Sequence, residues 1–381
     1  MRRIFFGKGG RFGLSLLLCL ALSARAEQPL GEVLVPAADR SSDAREAALR
    51  SGLGEVLVRL TGELQAAENA ALAPLLNSPA RWAQRFSWQQ QMTDEGDSEL
   101  LLAAQFDSAA LVAELERRQV PVWNLRRPAV MLWLVPAAGG KLLARIDDSA
   151  ESSSELVDAL QQRARYRGLP VQLPLMDGQD RQAIRAADVR GHFDRVLLAA
   201  ASRYPGPFHV AGAVYGGNTL TLRWRLLEQG EVSLSGELSA ATEAELMSSL
   251  VDQLTEQLAP RYRVGGGMTA AYRVHVDGVA SLAGWKTVSG HIQGLVGTSN
   301  LQEVSLSPGR LTLDMLFSGD RSTLLALLQL LPGLAPCVAS ELPGAALSAP
   351  ALPADSADAE TTASPPTLTE VALCWQPVPA R

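Results

Sequence analysis

Residues 129–135 read Ala-Val-Met-Leu-Trp-Leu-Val, seven consecutive apolar side chains between Pro128 and Pro136. A strand that is apolar on both faces is typical of a parallel sheet covered by helices on both sides. This stretch therefore predicts an α/β (α+β) fold, and it marks the start of a central unit at residue 128.

The central unit, residues 128–263, is predicted to have the order β-α-β-α-β-β-β-α. Ser152-x-x-Glu155 is a capping box for a helix that reaches Arg167. Pro174 favours an edge position for the strand that begins at Val171. The further predicted elements are a helix over 180–190, a buried strand or helix end over 195–201, strands over 208–215, 219–227 and 231–238, and a helix over 242–259.

The first unit is predicted to span residues 27–127. Ser41 or Ser42 caps a helix whose leucines and valines recur every three or four residues, and Gly62 ends it. Ser78-Pro79 predicts a second helix that carries Trp82 and Phe86, unless Phe86 already begins the next strand. The remaining predicted elements are a strand at 32–35, a hairpin of strands 86–91 and 99–106, and a helix from 107 or 108 to 118.

Three glycines at 265–267 predict a linker to a third unit. Residues 268–340 have the order β-α-β-β-α, which predicts a small ferredoxin-like sandwich. Residues 341–368 are rich in Ala, Pro, Ser and Asp, which predicts a disordered tether. Residues 369–381 then form a C-terminal strand and tail. The fold class is thus several small mixed α/β modules in tandem, the last of them ferredoxin-like, after a cleaved signal peptide.

Residues 1–26 have the pattern of a secretory signal peptide. Arg2, Arg3 and Lys8 form a basic start, an apolar run of eleven follows over 12–22, and Ala24-Arg25-Ala26 fits a signal-peptidase site. The pattern predicts cleavage after Ala26 and a periplasmic location. The run is too short for a stable membrane anchor, which needs about 20 apolar residues.

The mature chain is predicted to be acidic. The leader contains five of the 34 basic residues and no acidic ones, so 29 basic and 40 acidic residues remain, a net charge of −11. Phosphate backbones and anionic lipid head groups repel such a surface. No nucleic-acid partner and no stable membrane insertion of the mature chain are therefore expected.

Two cysteines, Cys337 and Cys374, follow the leader. Export brings them into an oxidising compartment, so a disulfide between them is predicted, with two free buried thiols as the alternative. The chain-entropy model gives such a bond about 4 kcal/mol of stability.

The sequence lacks the common motifs for zinc binding, for a serine nucleophile and for phosphate binding. The four histidines lack metal-ligand spacing, and neither a nucleophile elbow nor a phosphate loop is present. No catalytic, cofactor-binding or metal-binding residue is therefore assigned, no cofactor is expected, and the protein is predicted not to be an enzyme. A hydrolase that uses Asp147, Asp148 or Asp177 on envelope polymers is the alternative.

Trp123, Arg126 and Arg127 lie at the junction of the first two units, in a segment with little periodicity. Trp and Arg are enriched at interface hot spots, so these residues are candidates for partner binding. The alternative is a connector whose Trp fills the seam between the units. A small-ligand site near Trp123 is a further possibility.

A set of short motifs resembles the exported proteobacterial family catalogued as domain of unknown function 2066. These motifs are Val35-Pro36, Asp39-Arg40-Ser41, Val56-Leu57-Val58-Arg59-Leu60-Thr61-Gly62, Phe106-Asp107, Trp123, Arg127-Pro128 and Leu132-Trp133-Leu134. The family has no assigned activity, so the resemblance implies none. The element order of the central unit is also similar to modules of cell-envelope proteins that bind other proteins. The predicted function is thus a non-enzymatic adaptor or assembly factor of the cell envelope, with partner proteins that are unknown.

Overall fold

The computed structural model describes eight stretches of the chain: residues 30–92, 96–145, 151–204, 206–217, 219–267, 269–307, 309–337 and 368–376. Only the backbone is described for 151–154. The predicted leader, Asp147, Asp148 and the predicted tether up to residue 367 lie outside these stretches. Helices and mixed sheets alternate along the described chain, which confirms the α/β fold class.

The first sheet has three strands in the order β1-β3-β2 and packs against one long helix. Val33 and Val35 face Ala104 and Leu102 across the β1–β3 pair, and their inner face meets Leu53 of the helix. The elements of this part are β1 (Glu32–Pro36), α1 (Ser42–Thr61), α2 (Ala73–Leu76), β2 (Ala83–Met92), β3 (Ser98–Phe106), α3 (Ser108–Arg117) and β4 (Val122–Trp123).

Helix α1 begins and ends where its sequence predicts. The Ser41 side chain accepts a hydrogen bond from the Ala44 amide, and Gly62 ends the helix in the left-handed conformation at φ 72°. The helix predicted from Ser78-Pro79 is wrong: a three-residue 3₁₀ turn, Pro79–Arg81, leads directly into β2. Phe86 belongs to that strand, because it pairs with Ala104 of β3.

The second sheet has five strands in the order β6-β5-β7-β8-β9, with the first three parallel. Helices cover both faces of β5, all six residues of which are buried. Leu132 and Leu134 face α4 and α8, whereas Met131 and Trp133 face α6 and α7. The elements are β5 (Val130–Val135), α4 (Glu151–Arg167), β6 (Val171–Gln172), α5 (Gly178–Ala183), α6 (Ala186–Arg190), α7 (Asp194–Ala201), β7 (Phe208–Tyr215), β8 (Leu220–Glu228), β9 (Glu231–Ala240), α8 (Glu243–Leu258) and β10 (Arg263–Val264).

Two details of this part differ from the sequence prediction. The helix predicted over 180–190 is two short helices, because Ile184 and Arg185 adopt extended backbone between α5 and α6. Residues 195–201 are helical, which settles the choice between strand and helix.

The third sheet has five strands in the order β12-β13-β11-β15-β14. Its elements are β11 (Ala270–Val279), α9 (Leu282–Gln293), β12 (Thr298–Ser307), β13 (Gly309–Phe317), α10 (Arg321–Gln329), β14 (Leu334–Ala335) and β15 (Thr369–Trp375). The predicted order of strands and helices is present, but β15 lies parallel to β11 inside the sheet. One hydrophobic core joins residues from all three of these sheets.

Candidate functional site

Trp123 lies where the three sheets meet. It belongs to β4, which pairs antiparallel with β10, so that Trp123 faces Arg263 and Val122 faces Val264. The Trp123 side chain has no exposed surface. Gly62 at the end of α1 closes over the ring: a Cβ at that position would lie 3.1 Å from Cε3 of the indole.

Arg127 also packs on this ring, with its guanidinium carbon 4.0 Å from the ring centroid. Its Nη2 donates to the Arg59 carbonyl at 2.6 Å and its Nη1 to the Gly168 carbonyl at 2.5 Å. These carbonyls lie at the C-terminal ends of α1 and α4, which lack intrahelical partners and are the negative ends of the helix dipoles. Arg127 therefore joins the ends of two helices, α1 and α4, that pack on different sheets.

Burial lowers the pKa of Arg127 from its ordinary value to about 9, with the charge of Arg59 acting in the same direction. Arg127 is therefore largely protonated at neutral pH, although its environment disfavours the charge. Its Nη atoms donate to carbonyls at two helix ends and its Nε donates to the Asn124 carbonyl, so the guanidinium acts as a structural clamp.

A second arginine, Arg167, is fully buried beside this clamp. Its Nη2 donates to the Gly62 carbonyl at 3.3 Å, and its Nη1 lies 3.5 Å from Asp252 on α8. Asp252 is held more tightly by Arg163, which donates two hydrogen bonds to it at 2.9 and 2.7 Å. The Nε of Arg167 has no hydrogen-bond partner among the described residues.

The predicted partner-binding residues thus differ in accessibility. Trp123 is buried and Arg127 is committed to the clamp, whereas Arg126 is half-buried and its neighbour Leu125 is 38% exposed. The geometry favours the seam alternative, because a partner could reach Trp123 only if the units separated. The sequence identified Gly62 only as a helix end, Arg59 only as part of a family motif and Arg167 only as the last residue of a helix, since nothing in a helix C-terminus marks which arginine side chains will donate to its carbonyls.

The predicted disulfide is present between Cys337 and Cys374, whose Cα atoms are 5.0 Å apart. Asp277 on β11 faces Cys374 in register, and its carboxylate lies near both sulfurs. This trio is a group of potential metal ligands within the described residues. In the disulfide neither sulfur is a thiolate, the form in which cysteine binds metals.

Asp177, the third acid of the hydrolase alternative, caps α5 and forms a bidentate ion pair with Arg203 at 2.7 and 2.6 Å. The hydrogen bonds from Arg203 hold the pKa of the Asp177 carboxyl far below its ordinary value. A carboxylate of this kind is a poor general acid or base near neutral pH.

The same Arg203 pairs with the buried Asp180, which also accepts a hydrogen bond from Tyr204. A cavity of about 220 Å³ borders Tyr204; its lining is Arg145, Leu160, Gln161, Val171, Gln172, Leu173, Leu175 and Tyr204. Neither Asp177 nor any other carboxylate is among the described residues that line this cavity. Its lining includes Leu160 and Gln161 of α4 and Val171 and Gln172 of β6, and it does not include Trp123.

Among the described residues, three sheets end in long strands that pair on only one side. Strand β12 pairs with β13, β9 pairs with β8, and β2 of the first sheet pairs with β3. Val304 and Leu306 on β12 are 48% and 57% exposed, and Val232 on β9 is 46% exposed. Such edges offer free backbone donors and acceptors to another strand.

Comparison with known families is informative for the first part of the chain. Residues 24–124 match the family model described as Domain of unknown function (DUF8605). This DUF8605 segment covers the first sheet and ends next to Trp123. The match supports an uncharacterised family, and the family it names is not the one that the short motifs suggested. No curated protein matches the chain.

Within the described residues, no helix is long and apolar enough to cross a membrane.

Proposed function

We propose that the protein is exported to the periplasm and acts there as a non-enzymatic adaptor or assembly factor of the cell envelope. The leader-like pattern of residues 1–26 and the Cys337–Cys374 disulfide support export, since disulfides persist in oxidising compartments. The likeness of the motifs to the exported proteobacterial family 2066 is part of this proposal.

The observation that carries the interaction role is the free edge of β12. Eight of its ten residues, including Val304 and Leu306, are exposed, and Glu303 is its one charged residue. An extended segment of a partner can add to such an edge through backbone hydrogen bonds, while apolar side chains supply further contact. The partner we expect is an envelope protein with an extended segment that is apolar at alternate positions.

The hydrolase alternative has weaker support. It needs two carboxyl groups with different protonation states in one cleft. Asp177 is tied to Arg203, and the part of the lining that the structure describes around the cavity beside Tyr204 contains no carboxylate. A small-ligand function near Trp123 would require the fully buried indole to become accessible.

The test is site-specific photocrosslinking in intact cells. A photoreactive amino acid replaces Val304 on β12 or, as a matched control, Val232 on β9, which is a second edge strand with similar exposure. We expect a discrete crosslinked species from position 304 and none from 232. Adding Leu306→Lys should remove the species, because a lysine on an edge opposes strand pairing.

Equal crosslinking from both positions, or none from position 304, would contradict the proposed interaction surface. Export is tested separately in the same cells by the N-terminus of the purified protein. We expect it to begin at Glu27, and an intact Met1 would contradict export.

A further inference from the structure

Strand β15 occupies an unexpected place in the third sheet. It lies between β11 and β14, parallel to β11 over six residue pairs and antiparallel to β14 over two. Strand β14 therefore runs antiparallel to β11. In a ferredoxin-like β-α-β-β-α-β sandwich, the strand that follows the second helix lies directly beside the first strand in that orientation. Strand β15 thus fills a slot between two strands that the preceding chain could bring together.

The residues around this slot fit the side chains of β15 closely. Val371 and Leu373 of β15 are buried in the common core. Gly278 and Gly333, both in the left-handed region, clear the space around Trp375. A Cβ on Gly278 would lie 2.5 Å from the Trp375 carbonyl oxygen, and one on Gly333 would lie 2.8 Å from Cζ3 of its ring.

Two covalent connections join β15 to the rest of the third sheet: the preceding chain and the disulfide. Thirty residues, 338–367, separate Cys337 from the start of the described C-terminal segment. A chain of that length can span up to about 100 Å when extended. The disulfide is the second connection, and it holds Cys374 beside the end of β14.

We propose that β15 exchanges between two copies of this chain, so that each copy's residues 369–376 fill the slot of the other. The slot recognises apolar side chains at positions 371 and 373 and a tryptophan at 375, and the chain's own C-terminal strand has this pattern. A second copy presents the same strand, and its thirty-residue connection is long enough to reach a neighbouring molecule. The product is a closed dimer with two equivalent contacts.

The disulfides exchange without net oxidation. The thiolate of glutathione attacks the sulfur of Cys337 in one copy, which frees Cys374 of that copy as a thiolate. Docked in the second copy, this thiolate attacks the sulfur of the second copy's Cys337 and frees the second copy's Cys374. That cysteine attacks the mixed disulfide and releases glutathione, so two interchain bonds replace two intrachain ones.

The test uses two variants, Cys337→Ser and Cys374→Ser, both carrying Cys19→Ser. Neither can form the intrachain bond. When the two are mixed with oxidised glutathione, which accepts the two electrons of disulfide formation, we expect a reducible dimer. Peptide mapping by mass spectrometry should join Cys337 of one chain to Cys374 of the other.

A matched pair of substitutions in the Cys337→Ser chain tests the slot. Leu373→Asp places a charge on the buried side of β15, whereas Ala372→Asp places it on the exposed side. We expect Leu373→Asp to lower the yield of mixed dimer at least about tenfold, because burying the carboxylate is costly, and Ala372→Asp to leave it nearly unchanged.

A synthetic peptide of residues 368–376 with Cys374→Ser gives a readout that does not depend on the folding of a variant. It should compete for the slot and lower the dimer yield, whereas the same peptide with Leu373→Asp should not. Absence of the mixed dimer, equal yields with both aspartates, or no competition would overturn the exchange.

Discussion

The guanidinium of Arg127 stacks on the indole of Trp123 while it donates to the C-terminal carbonyls of two helices, at Arg59 and Gly168. One side chain therefore fixes the position of α1, α4 and β4 relative to one another. Because β4 pairs with β10, which directly precedes the third sheet, this arrangement connects all three sheets. Stability should consequently be sensitive to changes at this junction.

Replacing Arg127 by lysine should destabilise the protein by about 2–4 kcal/mol. An ammonium group cannot donate to both helix ends in the fixed fork of a guanidinium, and it stacks less well on an indole. Urea unfolding measures the change. Arg126→Lys is the matched control, because its side chain is half-buried and outside the clamp, and it should change stability by less than about 0.5 kcal/mol. Equal effects of the two substitutions would contradict the clamp.

Gly54 inside α1 and Gly62 at the C-terminal end of the same helix should respond oppositely to replacement by alanine. Gly54 lies within α1, where a Cβ would meet its nearest neighbour at 3.7 Å, so Gly54→Ala should stabilise the protein by about 0.5–1 kcal/mol. Gly62 has φ 72°, and its Cβ would lie 2.7 Å from that of Ala259. Gly62→Ala should therefore destabilise by more than about 1 kcal/mol. Thermal unfolding of both variants checks the contrast; a stabilised Gly62→Ala protein would argue against the tight junction.

Local signals predicted much of this fold. The Ser41 cap, the Gly62 end of α1 and the buried strand β5 depend on contacts within a few residues, so the sequence pattern contains them. The strand at Phe86 was harder, because only its pairing with β3 distinguishes it from a helix.

Contacts between distant residues were beyond prediction. The pairing of Trp123 with Arg263 joins positions 140 residues apart, and nothing near Trp123 indicates it. The sequence pattern of β15 likewise does not indicate that it pairs with β11 rather than with another sheet edge. The three glycines at 265–267 predict a linker, yet the Gly265 amide donates to the Ser318 carbonyl at 2.7 Å, so this connection is anchored.

The contribution of Tyr262 to the free energy of unfolding should fall above about pH 10. Burial raises the pKa of this phenol from 10.0 to about 12 in the folded protein. Between these values the folded state binds more protons than the unfolded state, so the contribution of Tyr262 is fully present below pH 10 and is lost as the pH rises toward 12. The slope is about 1.4 kcal/mol per pH unit.

The measurement is the difference in unfolding free energy between the protein and Tyr262→Phe at pH 8 and pH 10.5. Arg127, with its lowered pKa, acts in the opposite direction above pH 9, but it is common to both proteins and cancels. A difference that does not change with pH would mean that Tyr262 titrates alike in both states.

The buried pair of Arg167 and Asp252 should respond asymmetrically to removal of its members. Arg167 lacks partners for its Nε, and its nearest contact with Asp252 is 3.5 Å, so its charge is poorly compensated for a fully buried group. Asp252 keeps two hydrogen bonds from Arg163 when Arg167 is absent. Arg167→Met should therefore be neutral or stabilising, because an apolar side chain of similar length avoids the desolvation of the guanidinium.

Asp252→Asn should instead destabilise by about 3 kcal/mol or more, since it removes the main counter-charge of the buried Arg167. In the double variant most of this cost should disappear, which a double-mutant cycle by urea unfolding would detect as a coupling energy of more than about 1 kcal/mol. If Arg167→Met were as destabilising as Asp252→Asn and the two effects were additive, Arg167 would be stabilised by contacts other than Asp252. A coupling energy of more than about 1 kcal/mol would instead mean that the buried guanidinium of Arg167 is tolerated between α4 and α8 because Asp252 is present.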